Sequence, residues 1–313
     1  MTAPLVVVRG GGDLGTGVAH TLHKAGYRVV VLEAERPRAV RRMAAFAQAV
    51  YAGRTAVEGI EALVVSPLDI ARAAADIGLG GGAAGARVAA RGALEQAARA
   101  VRTAAAGWAA ALPVVVDPDG AAIRSLRPDA IVDARMAKRN LGTTREDAPV
   151  TIGLGPGFEA GRDVDVVIET NRGPSLGRII ERGSAEADTG VPAEVAGASA
   201  DRVLRAPVSG EFSGSRRIGD LVSEGETVGT VGGASVTARI GGLLRGLAAD
   251  GLSVAAGEKV GDVDPRGAAV DPAAISEKAR AVGRAVLAAL RARGIVPAGE
   301  SPAAGAAPGV QRD

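Results

Sequence analysis

The chain contains no cysteine among its 313 residues. That absence excludes disulfides, thiolate metal sites, iron–sulfur clusters and a cysteine nucleophile together. Histidine is almost as scarce: His20 and His23 are the only two, too few for a histidine-rich zinc site. Aromatic residues make up 2% of the chain. This removes the stacking platforms of single-strand nucleic-acid binders and leaves Ala, Val, Leu and Ile to build the core. Lysine is rare too; of 37 basic residues only Lys24, Lys138, Lys259 and Lys278 are lysine. The arginines are spread along the chain and the formal net charge is +2, so no basic block marks a nucleic-acid footprint. No apolar run approaches the ~20 residues that cross a bilayer. The chain enters a strand-like run at once, without a charged leader and apolar signal segment. The expectation is a cytoplasmic protein with neither nucleic acid nor membrane as partner.

Glycine, by contrast, is abundant at 45 residues, which suits an α/β chain with many tight turns and close backbone approaches. The length allows two domains of ordinary size. LVVVR at 5–9 and RVVVL at 28–32 read as buried parallel strands. Between them Val18, Leu22 and Ala25 recur on one face of a helix, completing a βαβ unit. A second helix is expected over Arg36 to Ala52, and a strand at Leu63 to Val65. The stretch 71–111 is nearly all Ala, Arg and Gly and reads as an insertion around a helical piece near 91–110. Strand signals return at Pro113–Val116, Ala130–Asp133, Val150–Leu154 and Val164–Ile168. The pattern predicts a Rossmann-like α/β domain with a mostly parallel sheet over residues 1–199.

Beyond Ala200 an internal repeat appears at an offset of 32 residues. Ala206, Gly210, Gly219, Val222, Gly225 and Glu226 recur as Ala238, Gly242, Gly251, Val254, Gly257 and Glu258. Short strands with glycine turns, twice over, predict a two-fold β-rich lobe over 200–268. Its pattern resembles the biotinyl/lipoyl carrier fold. The turn Gly232-Gly233-Ala234-Ser235 has no lysine where that family carries its modified one, so a carrier role is not expected. A C-terminal helix is expected within 269–296, followed by a disordered tail over 297–313.

Two constellations could carry chemistry. Gly10-x-Gly12-x-x-Gly15 has dinucleotide spacing between a strand and a helix. Its amides and the helix N-terminus would face a pyrophosphate, with Glu33 on ribose hydroxyls. Asp13 stands against this, because its carboxylate would repel phosphate unless turned away or metal-bound. Arg36 could also occupy Glu33. The alternative is a glycine turn required only for helix–sheet packing. The second constellation joins DARMAKRNLGTT at 133–144, GLGPGF at 153–158 and ETNRG at 169–173. Asp133 offers a carboxylate, Lys138 and Arg139 positive charge, and Asn140 and Asn171 amides. Gly153, Gly155 and Gly157 form a candidate anion cradle. A scarce lysine at position 138 is suggestive in itself. An ion pair at a helix start with an ordinary turn is the competing reading, and no nucleophile–base pair or other catalytic residue can be assigned. His20 and His23, three residues apart, lack further metal ligands nearby, so a helix face is the expected role and no metal is assigned.

Long blocks in fixed order carry a family resemblance. RGGGDLGTGVAHTLHKAGYRVVVLE, ERPRAVRRMAAFAQAVYAG, VDARMAKRNLGTT, IGLGPGF, VVIETNRG, VLRAPVSGEF and VGDVDPRG together resemble the YqeB-type accessory proteins of selenium-dependent molybdenum hydroxylase systems. The resemblance spans about residues 3 to 293, apart from the insertion. It implies a maturation protein for hydroxylases of the xanthine dehydrogenase type, with a Rossmann part similar to that of XdhC-type chaperones. Expected partners are then an apo molybdenum hydroxylase and other maturation proteins, with homo-oligomerisation left open. The expected ligand is nucleotide-bearing, molybdopterin dinucleotide or NAD(P). Without cysteine, any part in selenium chemistry would be scaffolding or cofactor handling. Two other classes stay open: an NAD(P)-dependent oxidoreductase, and a ligand-free scaffold.

Overall fold

Valine-rich runs, buried on both faces, form the centre of a nine-stranded sheet. The computed structural model describes residues 3–65, 111–188, 197 and 200–297. The first half of the chain supplies strands β1 (Leu5–Arg9), β2 (Arg28–Glu33), β3 (Arg54–Val57), β4 (Ile60–Val65) and β5 (Leu112–Val116). After them come β6 (Ala130–Asp133), β7 (Val150–Leu154), β8 (Glu159–Ala160), β9 (Val166–Ile168) and β10 (Ile179–Ile180). The sheet order is β10-β9-β7-β6-β1-β2-β5-β4-β3. Its inner seven strands run parallel, while β10 and β3 close the two edges antiparallel.

Side-chain alternation assigns the two faces. Val6, Val8, Val29 and Val31 point toward one helical layer, and Leu5, Val7, Val30 and Leu32 toward the other. The helices among the described residues are α1 (Asp13–Lys24), α2 (Gln48–Ala52), α3 (Ile123–Leu126) and α4 (Glu277–Ala292). Helix α4 lies against α1, and two glycines permit the approach. A Cβ at Gly17 would fall 2.6 Å from the Ala279 carbonyl oxygen, and one at Gly283 would fall 2.5 Å from Thr21 Oγ1. Among the described residues the opposite face carries the four-residue α3, with Ile123 and Leu126 buried on Val7 and Ile131.

This topology corrects the expected Rossmann-like fold with a lipoyl/biotinyl-like lobe and an appended C-terminal helix. The molecule is built on a large mixed sheet of nine strands, with few helices among the described residues. A doubly wound fold covers both faces with a helix at each crossover. Here β6 passes to β7 through a loop and one 3-10 turn at Arg145–Asp147, and β7 passes to β9 through the short β8. The helical layer over β1 is completed by α4, from a distant part of the chain, so that helix belongs to the sheet's packing.

The remaining strands are β11 (Gly183–Ser184), β12 (Val203–Arg205), β13 (Gly210–Gly214), β14 (Leu221–Val222), β15 (Thr227–Val231), β16 (Ala234–Thr237), β17 (Gly242–Leu247), β18 (Ser253–Val254) and β19 (Lys259–Asp264). β11 pairs with β8. The 32-residue repeat folds as two halves that exchange their middle strands: β14 pairs with β17 of the other half, and β18 with β13. The resulting sheets, β12-β19-β17-β14 and β16-β15-β13-β18, share a core around Phe212, Leu244 and Val260.

The segment 36–52 is not one helix. It holds a 3-10 turn at Arg42–Ala44 and then α2, because its arginines are committed to the repeat. Leu247 N donates to Val40 O at 2.8 Å and Arg42 Nε donates to Leu247 O at 2.8 Å. Arg38 binds both carboxylate oxygens of Glu258 at 2.7 and 2.6 Å, and Arg36 reaches the Gly251 carbonyl rather than Glu33. The Ala/Arg/Gly insertion with its expected helix, and the tail from 298 on, lie outside the described residues.

Candidate functional site

The carboxyl ends of β1, β2, β5 and β6 surround a cavity of about 630 Å³. Open parallel sheets place ligands at this edge. Gly10, Gly12 and Asp13 line it, together with Arg9, Arg38 and Arg135. The glycines divide the work. Gly10 turns the chain at φ +97° beside Ala134, and a Cβ on Gly15 would lie 1.9 Å from the Gly10 carbonyl oxygen, so both are demanded by backbone packing. Gly12 is different: it caps α1 without a side-chain hydrogen bond, and the nearest atom to an added Cβ is Ala39 Cβ at 3.9 Å. Gly12 therefore leaves open space beside the positive end of α1.

Glu33 lines the same cavity, with its carboxylate held by the loop itself. Gly11 N donates to Oε1 and Ala34 N to Oε2, both at 2.7 Å. Burial pushes its carboxyl above the ordinary carboxylate range, against the pull of these two amides. Asp13 turns aside: Arg41 Nη1 donates to its Oδ1 at 2.6 Å and Ser276 Oγ to its Oδ2 at 3.1 Å. The charge that would repel a phosphate is neutralised by Arg41.

Asp133, at the end of β6, is buried in a four-residue network. It accepts from Arg135 and from Thr143 Oγ1 at 2.6 Å, while Arg9 Nη1 donates to that threonine oxygen at 2.8 Å. Burial alone would raise its carboxyl, but the hydrogen bonds from Arg135 and Thr143 hold it below the usual range. The loop that follows places Met136 at φ +54° and Lys138 at φ +62°. Such a conformation costs a non-glycine residue about 1–2 kcal/mol. Both side chains line cavities, and Met136 stands between the first and a second.

The other expected residues separate. Asn140 spends its side chain on the turn, accepting from Gly142 N and Thr143 N and donating to Thr143 O. Arg139 is exposed and lines neither cavity. Gly153, Gly155 and Gly157 serve close packing on Phe158, on Thr170 and on the Lys138–Arg139 backbone. Asn171 donates to Glu186 Oε2 at 2.6 Å and lines the second cavity. Beside it Glu169 accepts from Thr170, Asn171 and Glu186 amides, each at 2.7 Å, which fixes the turn.

The second cavity, of about 470 Å³, is where the sequence was least informative. Lys138, Lys259 and Lys278 line it, three of the four lysines in the chain. Arg41, Arg172, Arg202 and Arg245 join them from elements far apart in sequence. Asp262, on β19, gathers Arg202, Arg245 at 2.8 Å and Lys259 at 3.6 Å. Burial lowers the ammonium pKa of Lys259 and of Lys278, and Arg172 adds to the effect on Lys278. Lysine scarcity marked Lys138 in sequence; applied to all four lysines, the same signal would have drawn attention to this cluster. His20 lies 3.8 Å from Glu58 on α1, and no cluster of His, Asp and Glu able to hold a metal occurs among the described residues. No described helix is long and apolar enough to cross a membrane.

Fold and site together define an α/β protein with a cavity at the carboxyl edge of its central parallel strands and a second, basic cavity beside it. Comparison by sequence then gives a relative: the chain is 42% identical over 286 residues to the uncharacterized protein YqeB of Escherichia coli (strain K12). The match takes in 91% of this chain and 47% of that protein, so the chain is similar to YqeB over most of its own length and spans about half of the relative's. No family model matches the sequence. Among solved structures, a succinylglutamate desuccinylase/aspartoacylase from Rhodobacter sphaeroides aligns with 84% of this chain and 85% of its own at 17% identity and a TM-score of 0.24. An aspartoacylase family protein from Mesorhizobium loti covers 83% and 85% at 12% identity, also with a TM-score of 0.24. Scores this low carry neither architecture nor chemistry to this chain.

Proposed function

We propose that this protein is an accessory protein for maturation of a molybdenum hydroxylase of the xanthine dehydrogenase type, and that it binds a nucleotide-bearing ligand of the molybdopterin dinucleotide class. The cavity at the carboxyl ends of β1, β2, β5 and β6 is the observation that carries the ligand part. Gly12 and the start of α1 would take the phosphates, with Arg9, Arg38 and Arg135 supplying positive charge around them. Glu33 and Asp133 would hold the loops in place through their backbone and arginine hydrogen bonds. The client enzyme rests on the sequence resemblance to YqeB-type accessory proteins. Calorimetric titration of the full chain and of Gly12→Val with molybdopterin dinucleotide, cytidine diphosphate and NAD tests the ligand. Binding of the pterin dinucleotide that is weakened at least tenfold by Gly12→Val is expected. Failure to bind any of the three defeats the ligand part, and preference for NAD returns the oxidoreductase reading.

A further inference from the structure

We infer that the second cavity is a binding site for a diphosphate-class polyanion, separate from the glycine-lined cavity and independent of the reading proposed for it. Seven cationic side chains and only four carboxylates, those of Asp13, Glu186, Asp188 and Asp262, line its wall. Lys138 is paired with Asp188 and Arg41 with Asp13, while Asp262 is shared by Arg202, Arg245 and Lys259, and Arg245 also reaches Asp264 behind the wall at 3.1 Å. Arg172 and Lys278 form no ion pair with any described residue; burial lowers the Lys278 pKa most, Arg172 adds to it, and Asp13, Glu169 and Asp188 act against it. Like charges facing one another across a cavity are unfavourable until an anion enters between them.

The arrangement selects charge density over shape. Three of four lysines converge here in a chain that otherwise uses arginine. Lysine contributes compact point charges with three rotatable donors, and arginine contributes forked donors, a combination suited to tetrahedral phosphate oxygens. The excess of three positive charges matches a diphosphate better than a single carboxylate. The volume, about 470 Å³, also leaves room for a substituent on the diphosphate. The walls come from the 136–138 loop, the 170–172 turn, strands β17 and β19, and α4, so occupancy would tie the sheet to the repeat.

The test is titration of the full-length protein with inorganic pyrophosphate, with orthophosphate and citrate as comparisons. Saturable binding of one pyrophosphate per chain is expected, at least tenfold tighter than orthophosphate or citrate. Arg172→Ala, at an exposed position, and Lys278→Met are each expected to weaken it at least tenfold with unchanged thermal unfolding of the free protein. Gly12→Val, at a residue that lines the first cavity and not the second, should leave pyrophosphate affinity as it is. Absence of saturable binding, equal binding of citrate, or affinity unaffected by Arg172→Ala overturns the assignment. Loss of pyrophosphate binding in Gly12→Val also overturns it, because the anion would then belong to the first cavity. If Lys278→Met does not fold, Arg172→Ala alone decides.

Discussion

The carboxylate of Asp13 meets the guanidinium of Arg41 at 2.6 Å, and this contact stands between the two cavities. Asp13 lies in the first turn of α1, where a negative charge favours the helix dipole. Arg41 is nearly buried and also donates to the Ala274 carbonyl at 2.8 Å, so it links the start of α1 to the segment before α4. Removing it leaves the partly buried Asp13 carboxylate with the Ser276 hydroxyl alone and takes the donor from the Ala274 carbonyl. Arg41→Met is expected to lower unfolding free energy by about 2 kcal/mol, the scale of a hydrogen bond to a charged group. Urea denaturation measures this, and an unchanged midpoint would show that the contact carries no stability.

Gly12 and Gly15 sit in one motif but predict opposite outcomes. A Cβ at position 15 would overlap the Gly10 carbonyl oxygen at 1.9 Å, and no side-chain rotation relieves a backbone clash. Gly15→Ala is therefore expected to yield little folded protein. Gly12 has φ −69°, open to any residue, and no atom nearer than 3.9 Å to an added Cβ. Gly12→Ala should fold with a melting temperature close to the parent. Thermal melts of the two variants side by side separate packing glycine from site glycine.

Glu33 predicts a loss that charge alone would not suggest. Each of its oxygens accepts one amide, so Glu33→Gln replaces one acceptor with a donor facing a donor. An unsatisfied buried amide costs about 1–3 kcal/mol. The ionised group is itself disfavoured by burial, and in the parent its folded pKa lies above the unfolded one. The folded state then holds the extra proton as pH falls toward the ordinary glutamate value of 4.5, and this group's penalty on stability shrinks there. Glu33→Gln should be less stable at pH 7 by denaturant melts. Equal or greater stability would mean that the amides find other partners.

What could be read from the sequence follows from the range of each interaction. LVVVR and RVVVL announce β1 and β2 because burial of valine is a local pattern, and Ile275, Val282, Val286 and Leu290 announce α4 in the same way. The mixed character of the sheet comes from its two edges, where two-residue β10 turns back on β9, Ile179 against Ile168, and mostly exposed β3 turns into β4, Arg54 against Leu63; strands so short or so exposed carry little apolar pattern. Nothing local forbids a helix over 36–52; the arginines there are drawn away by Leu247, Gly251 and Glu258, some 200 residues on. The same range limit applies to the sites. Gly10 to Gly15 and Glu33 are neighbours along one βαβ unit, while Lys138, Lys259 and Lys278 meet only after the chain has folded.

The two histidines give a pH dependence of the opposite sign to Glu33. Burial lowers both imidazoles below their ordinary value of 6.5; at His20 the Glu58 carboxylate opposes this, while Lys24 and Arg280 reinforce it, and at His23 Lys24 reinforces it. Unfolded histidine therefore takes up its proton at a higher pH than the folded protein does. Below about pH 6.5 the unfolded state binds more protons, so stability is lost as pH falls toward the depressed folded values. Denaturant midpoints of the parent are expected to fall between pH 7.5 and 5.5 relative to His20→Gln/His23→Gln, where the titrating groups are gone. Glu33 and every other group titrate in both proteins, so the difference at each pH isolates the imidazoles. A difference that stays constant across that range would mean that the histidines titrate alike in the folded and unfolded chains, and burial on α1 would not be felt by their charge.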